Sequence, residues 1–182
     1  MPDYRRNRVP GGTYFFTVNL LQRNSRLLVE HIESLRAAVR LVRNKMPFHI
    51  DCWVVLPEHM HCIWTLPEGD ADYALRWKAI KIAFAKTIPK TEPLSTVRQV
   101  KGERGVWQRR YWEHTIRDER DYAAHVDYVH INPVKHGLVS RVADWPYSSF
   151  HKFVAAGVYS LDWAGGVDVE LVMGEREKSF GG

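Results

Sequence analysis

His59 and His61 stand one residue apart in an apolar run that is typical of a β-strand. Side chains at alternate positions of a strand project from the same face of a sheet. Because Met60, Cys62 and Trp64 project from the other face, which apolar helices are expected to cover, the two imidazoles should lie on the face opposite those helices. Two imidazoles there can chelate one cation, so the run predicts a metal site. The alternative is a pair of surface histidines.

Further groups for such a site lie in a helical pattern later in the chain. Tyr128 and Asn132 are four residues apart, and His125 precedes Tyr128 by three, so the three side chains share one helical face. One helix can therefore bring a nucleophile and a metal ligand together. Tyr122 falls on another face and is predicted to pack. Tyrosines near helix ends are commonly packing residues, so the pattern alone leaves that alternative open for Tyr128 as well.

The elements that must position these residues follow from hydrophobic periodicity and from proline and glycine breaks. Their order predicts an α+β fold of the ferredoxin-like type, βαββαβ, with an antiparallel sheet and two helices on one face. A further helix, capped by Asp118 and carrying Tyr128, is expected on the other face. A polar loop is predicted at 91–105. The predicted strands are 14–20, 49–56, 59–66 and 106–115, and the predicted helices are 32–46, 73–88 and 118–132.

The length of 182 residues suits one domain, predicted at 1–140, followed by an irregular tail at 141–182. We expect the tail to pack on the domain or to contact DNA.

Composition narrows the classes of protein. The net charge is +5 and the pI about 9.3, with nine Lys/Arg against three Asp/Glu in 1–50 and twelve against five in 75–120. These basic blocks suggest a phosphate-bearing partner. No apolar run is long enough to span a membrane, and no secretory signal is evident, so a cytoplasmic location is expected. Cys52 and Cys62 are too few for a disulfide framework, and Cys62 alternates away from His61, which disfavours a Cys/His zinc site.

Four segments of the chain share a pattern with one protein family: GGTYFFTVN at 11–19, WVVLPEHMHCIW at 53–64, HVDY at 125–128 and INPVKHG at 131–137. Together they resemble the single-tyrosine HUH transposases and, more closely, the REP-associated tyrosine transposases. The resemblance spans nearly the whole chain, and the ordered histidine and tyrosine blocks make it highly specific. The segment at 11–19 and the DWP run at 144–146 are uninformative alone.

The resemblance implies roles for individual residues. His59 and His61 would be metal ligands, Tyr128 the nucleophile, and Asn132 the third ligand, a position where relatives outside this subgroup carry glutamine. His125 is the substitute candidate for the third ligand. The implied cofactor is Mg²⁺ or Mn²⁺, without a nucleotide, and the implied substrate is single-stranded DNA with a REP-type hairpin. Cleavage would proceed through a 5′-phosphotyrosine, in a monomer or a homodimer.

DNA phosphates are expected to be bound by basic residues of the two basic blocks. The candidates are Arg5, Arg6, Arg8, Arg109, Arg110 and Arg117. Three other functions are compatible with the sequence. They are a non-catalytic binding module that stacks bases on sheet aromatics, a hydrolase that uses water as the nucleophile, and a DNA-binding regulator.

Overall fold

A computed structural model describes residues 6–165. Four antiparallel strands form one sheet in the order β2-β3-β1-β4. The strands are β1 (Thr13–Asn19), β2 (His49–Val55), β3 (His59–Thr65) and β4 (Trp112–Thr115). The helices are α1 (Leu27–Glu30), α2 (Ile32–Lys45), α3 (Tyr73–Thr87), α4 (Thr96–Val100), α5 (Glu119–Lys135) and α6 (Phe150–Ala155), with a 3₁₀ turn at Val142–Asp144.

Each face of the sheet carries its own apolar layer. Phe16, Met60 and Trp64 pack with α2 and α3 on one face, whereas Phe15 and Ile63 pack with α5 on the other. The residues of each central strand alternate between these layers, which explains why β1 and β3 are buried on both sides. The ferredoxin-like arrangement is confirmed, with the tyrosine-bearing helix on the face opposite α2 and α3.

The fourth strand is shorter than predicted. Only Trp112–Thr115 pairs continuously with β1, and Trp107 forms an isolated bridge to Leu20. Between them the chain leaves the sheet at the exposed Arg109 and Arg110. As an edge strand, β4 can interrupt its ladder without burying unpaired backbone groups. Likewise, the loop predicted at 91–105 contains the short helix α4, which the Ser95 side chain caps.

The end of α5 also differs from the prediction. Asp118 caps the helix as expected, but the helix continues through Pro133 to Lys135. Proline this close to the end removes only one helical hydrogen bond. Gly137, two residues after the last helical residue, has φ +67°, and the amides of Gly137 and Leu138 donate to the carbonyls of Val134 and Pro133. This is a Schellman motif.

The described part of the tail is ordered against the sheet. The Trp53 amide donates to Ser149 Oγ at 2.9 Å, the Val55 amide donates to the Tyr147 carbonyl at 2.8 Å, and Phe150 is fully buried. The segment predicted as irregular therefore contains the 3₁₀ turn and α6. Residues 166–182 lie outside the described part, and the boundary at 140 stays a prediction. Within 6–165, none of the helices has the length and apolar character needed to cross a bilayer.

Candidate active site

The histidine pair lies in β3 beneath α5, on the sheet face predicted for it. The ring centres of His59 and His61 are 4.9 Å apart, and both residues are buried. His59 Nδ1 bonds Glu58 Oε1 at 3.0 Å, and His61 Nδ1 bonds Thr17 Oγ1 at 2.9 Å. Because both Nδ1 atoms are engaged by neighbours that fix the rings, Nε2 is the nitrogen that each ring can offer to a metal ion.

Glu58 is a carboxylate suited to orienting His59. Burial alone would raise its pKa, but the hydrogen bond and charge interaction with His59, together with Arg23 at 3.7 Å, lower the pKa below its usual value. The carboxylate therefore stays ionised at neutral pH and accepts the Nδ1 proton of His59. Neither Glu58 nor Thr17 was predicted as a site residue from the sequence, although Glu58 directly precedes the histidine run.

Tyr128 reaches the histidines from α5. Its ring centre lies 5.3 Å from that of His61 in an edge-on arrangement, and the residue is partly exposed. One helical turn later, Asn132 is fully buried. Its Nδ2 is 3.4 Å from the Tyr128 carbonyl, and its Oδ1 has no hydrogen-bond partner in the described part of the chain. A buried amide oxygen in this state requires an explanation, and a bound cation would provide one.

Two residues at the end of α5 complete the surroundings of the tyrosine. Lys135 Nζ donates to Tyr128 Oη at 3.1 Å and lies 4.6 Å from the centre of its ring. The His136 ring is 5.0 Å from that of His59. Neither residue was singled out from the sequence, because the predicted helix ended before them. Both reach the site because α5 continues through Pro133.

His125, the substitute third ligand, lies in a different group of side chains. Its Nδ1 donates to the Asp121 carbonyl at 2.8 Å, and its ring stacks on His114 with 4.5 Å between centres. The Phe15 ring packs against both His61 and His125, at 5.7 and 4.9 Å. The apolar Phe15 ring and the bond to Asp121 favour Asn132 over His125 as the third ligand of the histidine pair.

The predicted DNA-binding arginines have differing environments. Arg6 lies over the Tyr111 ring at 4.3 Å. Arg109 pairs with Glu103 and Arg117 with Asp121, although both arginines are exposed. Arg8 and Arg110 are also exposed. Arg5 lies outside the described residues.

A second basic surface was not predicted. It lines a cavity of about 680 Å³ between α2, the edge strand β2 and α6, and the lining also includes the aromatic residues Trp53 and Phe153. Its basic residues are Arg36, Arg40, Arg43 and Lys152. The arginines recur along α2 at positions that share one helical face, a spacing that was readable in the sequence.

A ferredoxin-like sheet with a histidine pair on one strand and a tyrosine on the covering helix defines the class of single-tyrosine HUH transposases. A relative from Escherichia coli (strain K12), described as REP-associated tyrosine transposase, is 51% identical over 176 residues and covers 97% of this chain and 98% of its own. A relative from Haemophilus influenzae (strain ATCC 51907 / DSM 11121 / KW20 / Rd) is 44% identical over 172 residues, or 94% and 98% of the two chains. The chain belongs to the REP-associated tyrosine transposase family.

The structural comparison agrees with this assignment. A solved REP-associated tyrosine transposase, bound to a REP hairpin, superposes with a TM-score of 0.82 at 51% identity and covers 97% of this chain and 98% of that one. No family model matches the sequence. The protein is an enzyme of the transposase type.

Proposed function

We propose that this chain cleaves and rejoins single-stranded DNA at REP-type hairpins, with Tyr128 as the nucleophile and His59, His61 and Asn132 as ligands of a divalent cation. The proposal rests above all on the 5.3 Å separation between the ring centres of Tyr128 and His61. A phenol and an imidazole this close can act on the same phosphate group. The sequence resemblance supports the same roles.

In the proposed reaction, the phenol of Tyr128 loses its proton and its oxygen attacks the scissile phosphorus. The bond to the 3′-oxygen breaks, and that oxygen gains a proton, leaving a 5′-phosphotyrosine and a free 3′-hydroxyl. One P–O bond forms as another breaks, so no nucleotide cofactor is needed. A 3′-hydroxyl then attacks the phosphotyrosine, which rejoins the strand and releases Tyr128.

The donor set fits a divalent cation. Two imidazole nitrogens and the buried Oδ1 of Asn132 would hold it, and the Nδ1 bonds to Glu58 and Thr17 keep the rings oriented. When bound, the cation neutralises negative charge on the phosphate oxygens. We propose Mn²⁺ or Mg²⁺, of which Mn²⁺ tolerates nitrogen ligands better.

Lys135 is proposed to assist the nucleophile. A phenol is mostly protonated at neutral pH, so attack by Tyr128 requires a partner that favours its charged form. The ammonium group of Lys135, 3.1 Å from the phenol oxygen, would stabilise negative charge there. This interaction also holds the ring through the cation–π contact at 4.6 Å.

The DNA partner is proposed from the relative and from the basic surfaces. The solved relative is bound to a REP hairpin, and it shares 51% identity across nearly the whole chain. We therefore propose that this chain binds a hairpin of the same class, with single-stranded DNA beside it. Exposed Arg8 and Arg110 and the arginine row of α2 offer charges for phosphates.

The binding-module alternative is disfavoured by the environment of the sheet. Base stacking by a sheet of this topology needs an open face with exposed aromatic residues. Here α5 covers that face, and Phe15, Val54 and Ile63 on it are fully buried. A hydrolase that uses water as its nucleophile would form no covalent adduct with DNA, which makes the two mechanisms experimentally distinct.

The test is the replacement of Tyr128 by Phe. The full-length protein is incubated with a hairpin that carries a single-stranded flank, with Mn²⁺ or Mg²⁺ and with a chelator, and adducts are resolved on denaturing gels. Tyr128→Phe should abolish the adduct while hairpin binding stays within about twofold of wild type, because only the attacking oxygen is removed. Chelation should also abolish the adduct.

The matched control is Tyr122→Phe, which removes a hydroxyl from the same helix. The Tyr122 hydroxyl bonds Asp51 at 3.3 Å and not the histidine pair. This variant should keep forming the adduct. An adduct that persists in Tyr128→Phe, or that disappears only in the control, would show that another residue is the nucleophile.

A further inference from the structure

A second group of metal-ligating side chains lies where β4 meets the beginning of α5. His114, Asp121 and His125 each offer a ligand atom, and these atoms all lie within 4.8 Å of one another. Both rings lie beside the Asp121 carboxylate. His114 Nε2 is 2.8 Å from Oδ2, and the His125 ring approaches Oδ1 through its protonated Nδ1, at 3.2 Å. Asp121 and His125 are one helical turn apart and share the helix face that meets His114.

We propose that His114, Asp121 and His125 form a second metal site, separate from the histidine pair of β3, for a transition-metal ion such as Zn²⁺. Two imidazoles and one carboxylate are ligands typical of zinc, with water in the remaining position. The ligand set carries one negative charge, whereas two imidazoles and an amide carry none. The second site should therefore bind a divalent ion more tightly than the set that includes Asn132.

The hydrogen bonds fix which nitrogen of His125 is available. The Asp121 carbonyl can only accept, so Nδ1 of His125 carries the proton and Nε2 keeps the lone pair that a metal needs. His114 Nε2 donates to the Asp121 carboxylate in the metal-free state. Metal binding replaces that hydrogen bond with coordination by both partners, and the proton moves to Nδ1 of His114 or to solvent.

Burial supports a site rather than a chance surface cluster. The side chains of Asp121 and His125 are 4% and 3% exposed, and that of His114 is 26% exposed, which leaves one side through which an ion can enter. Phe15 packs between α5 and the sheet against both His61 and His125. This apolar ring is the reason to treat the two groups as separate sites.

Arg117 would compete with a metal ion for the Asp121 carboxylate. Its Nε donates to Asp121 Oδ2 at 3.2 Å, but its side chain is 73% exposed and can turn into solvent. Bound metal would repel the guanidinium. Removing Arg117 should therefore strengthen metal binding, by about fivefold or more. A purely structural hydrogen-bond network gives no reason to expect that gain.

The test measures how many zinc ions bind to a variant that lacks the histidine pair of β3. The full-length His59→Ala/His61→Ala double variant is stripped with a chelator and titrated with Zn²⁺ against a competing chelating dye, with Co²⁺ absorption as a second readout. One equivalent should bind. Adding His114→Gln or His125→Gln should remove it, whereas His151→Gln, at an exposed histidine of α6, should not.

Two results would overturn the proposal. They are the absence of a bound equivalent in the double variant, and an equivalent that survives both glutamine replacements. Should the glutamine variants fail to fold, Arg117→Ala in the same background decides, because unchanged zinc affinity would also refute the site. The zinc titration contains no DNA. Its result therefore does not depend on whether the proposed cleavage reaction occurs.

Discussion

Replacing Lys135 by Met tests whether its ammonium group activates Tyr128. The substitution keeps a long, flexible side chain but removes the charge that lies 3.1 Å from the phenol oxygen. Two unit charges at that distance attract by about 1.3 kcal/mol even in the dielectric of water. Because Lys135 is exposed, we use this value for water rather than the larger value of a buried pair. Loss of about 1.3 kcal/mol of transition-state stabilisation slows a reaction about tenfold.

The assay is single-turnover formation of the covalent adduct with excess enzyme and a hairpin substrate at saturating Mn²⁺. Lys135→Met should slow adduct formation about tenfold with little change in hairpin affinity. Lys86→Met, at an exposed position of α3 on the other side of the sheet, is the control and should leave the rate unchanged. A Lys135→Met rate within twofold of wild type would refute the activating role. Equal losses in both variants would instead indicate a general effect of positive charge on DNA binding.

Three further predictions follow from the fold. Gly137→Ala should lower the free energy of unfolding, measured by urea denaturation, by about 1 kcal/mol. The added methyl group would meet no atom within 4 Å, so the cost comes from the φ of +67°, which alanine rarely adopts. An unchanged urea midpoint would argue against the Schellman motif at the end of α5. Hydrogen bonds from Arg76 lower the pKa of Asp70, so the stability from this pair should be complete above about pH 4 and decline as the pH falls below it. Asp70→Asn should therefore cost about 1 kcal/mol at pH 7, because water screens a carboxylate that is 35% exposed, and the cost should shrink in acid. A loss that stays constant as the pH is lowered would contradict this. Mixing His59→Ala with Tyr128→Phe should not restore adduct formation, because one chain brings both residues together; recovery would show that sites are shared between chains.

The local part of the proposed site was predictable from the sequence. Alternation along a strand puts His59 and His61 on one face, and the apolar residues between and after them identify the opposite face, which α2 and α3 cover. Helical periodicity puts Tyr128 and Asn132 one turn apart. The order of apolar segments indicated βαββαβ and an additional helix. These inferences depend on backbone geometry that repeats over a few residues.

Other features depended on packing between distant segments. Pro133 suggested that α5 ends there, yet the helix continues to Lys135. Only this longer helix brings Lys135 to Tyr128 and His136 to His59. His125 lies on the same side of the helix as Tyr128, as predicted, but the two residues contact different neighbours. Tyr128 packs against His61, whereas His125 packs against His114.

What the sequence determined by itself was the set of elements, the faces that their residues occupy and the family to which the chain belongs. Tertiary structure decided which faces meet. Phe15 packs against both His61 and His125, and His114 of β4 bonds Asp121. As a result α5 contributes Tyr128 and Asn132 to the histidine pair, and Asp121 and His125 to the separate group that includes His114. The physical reason is that sequence periods fix the direction of a side chain relative to its own backbone. The separation between two elements is set by the side chains packed between them.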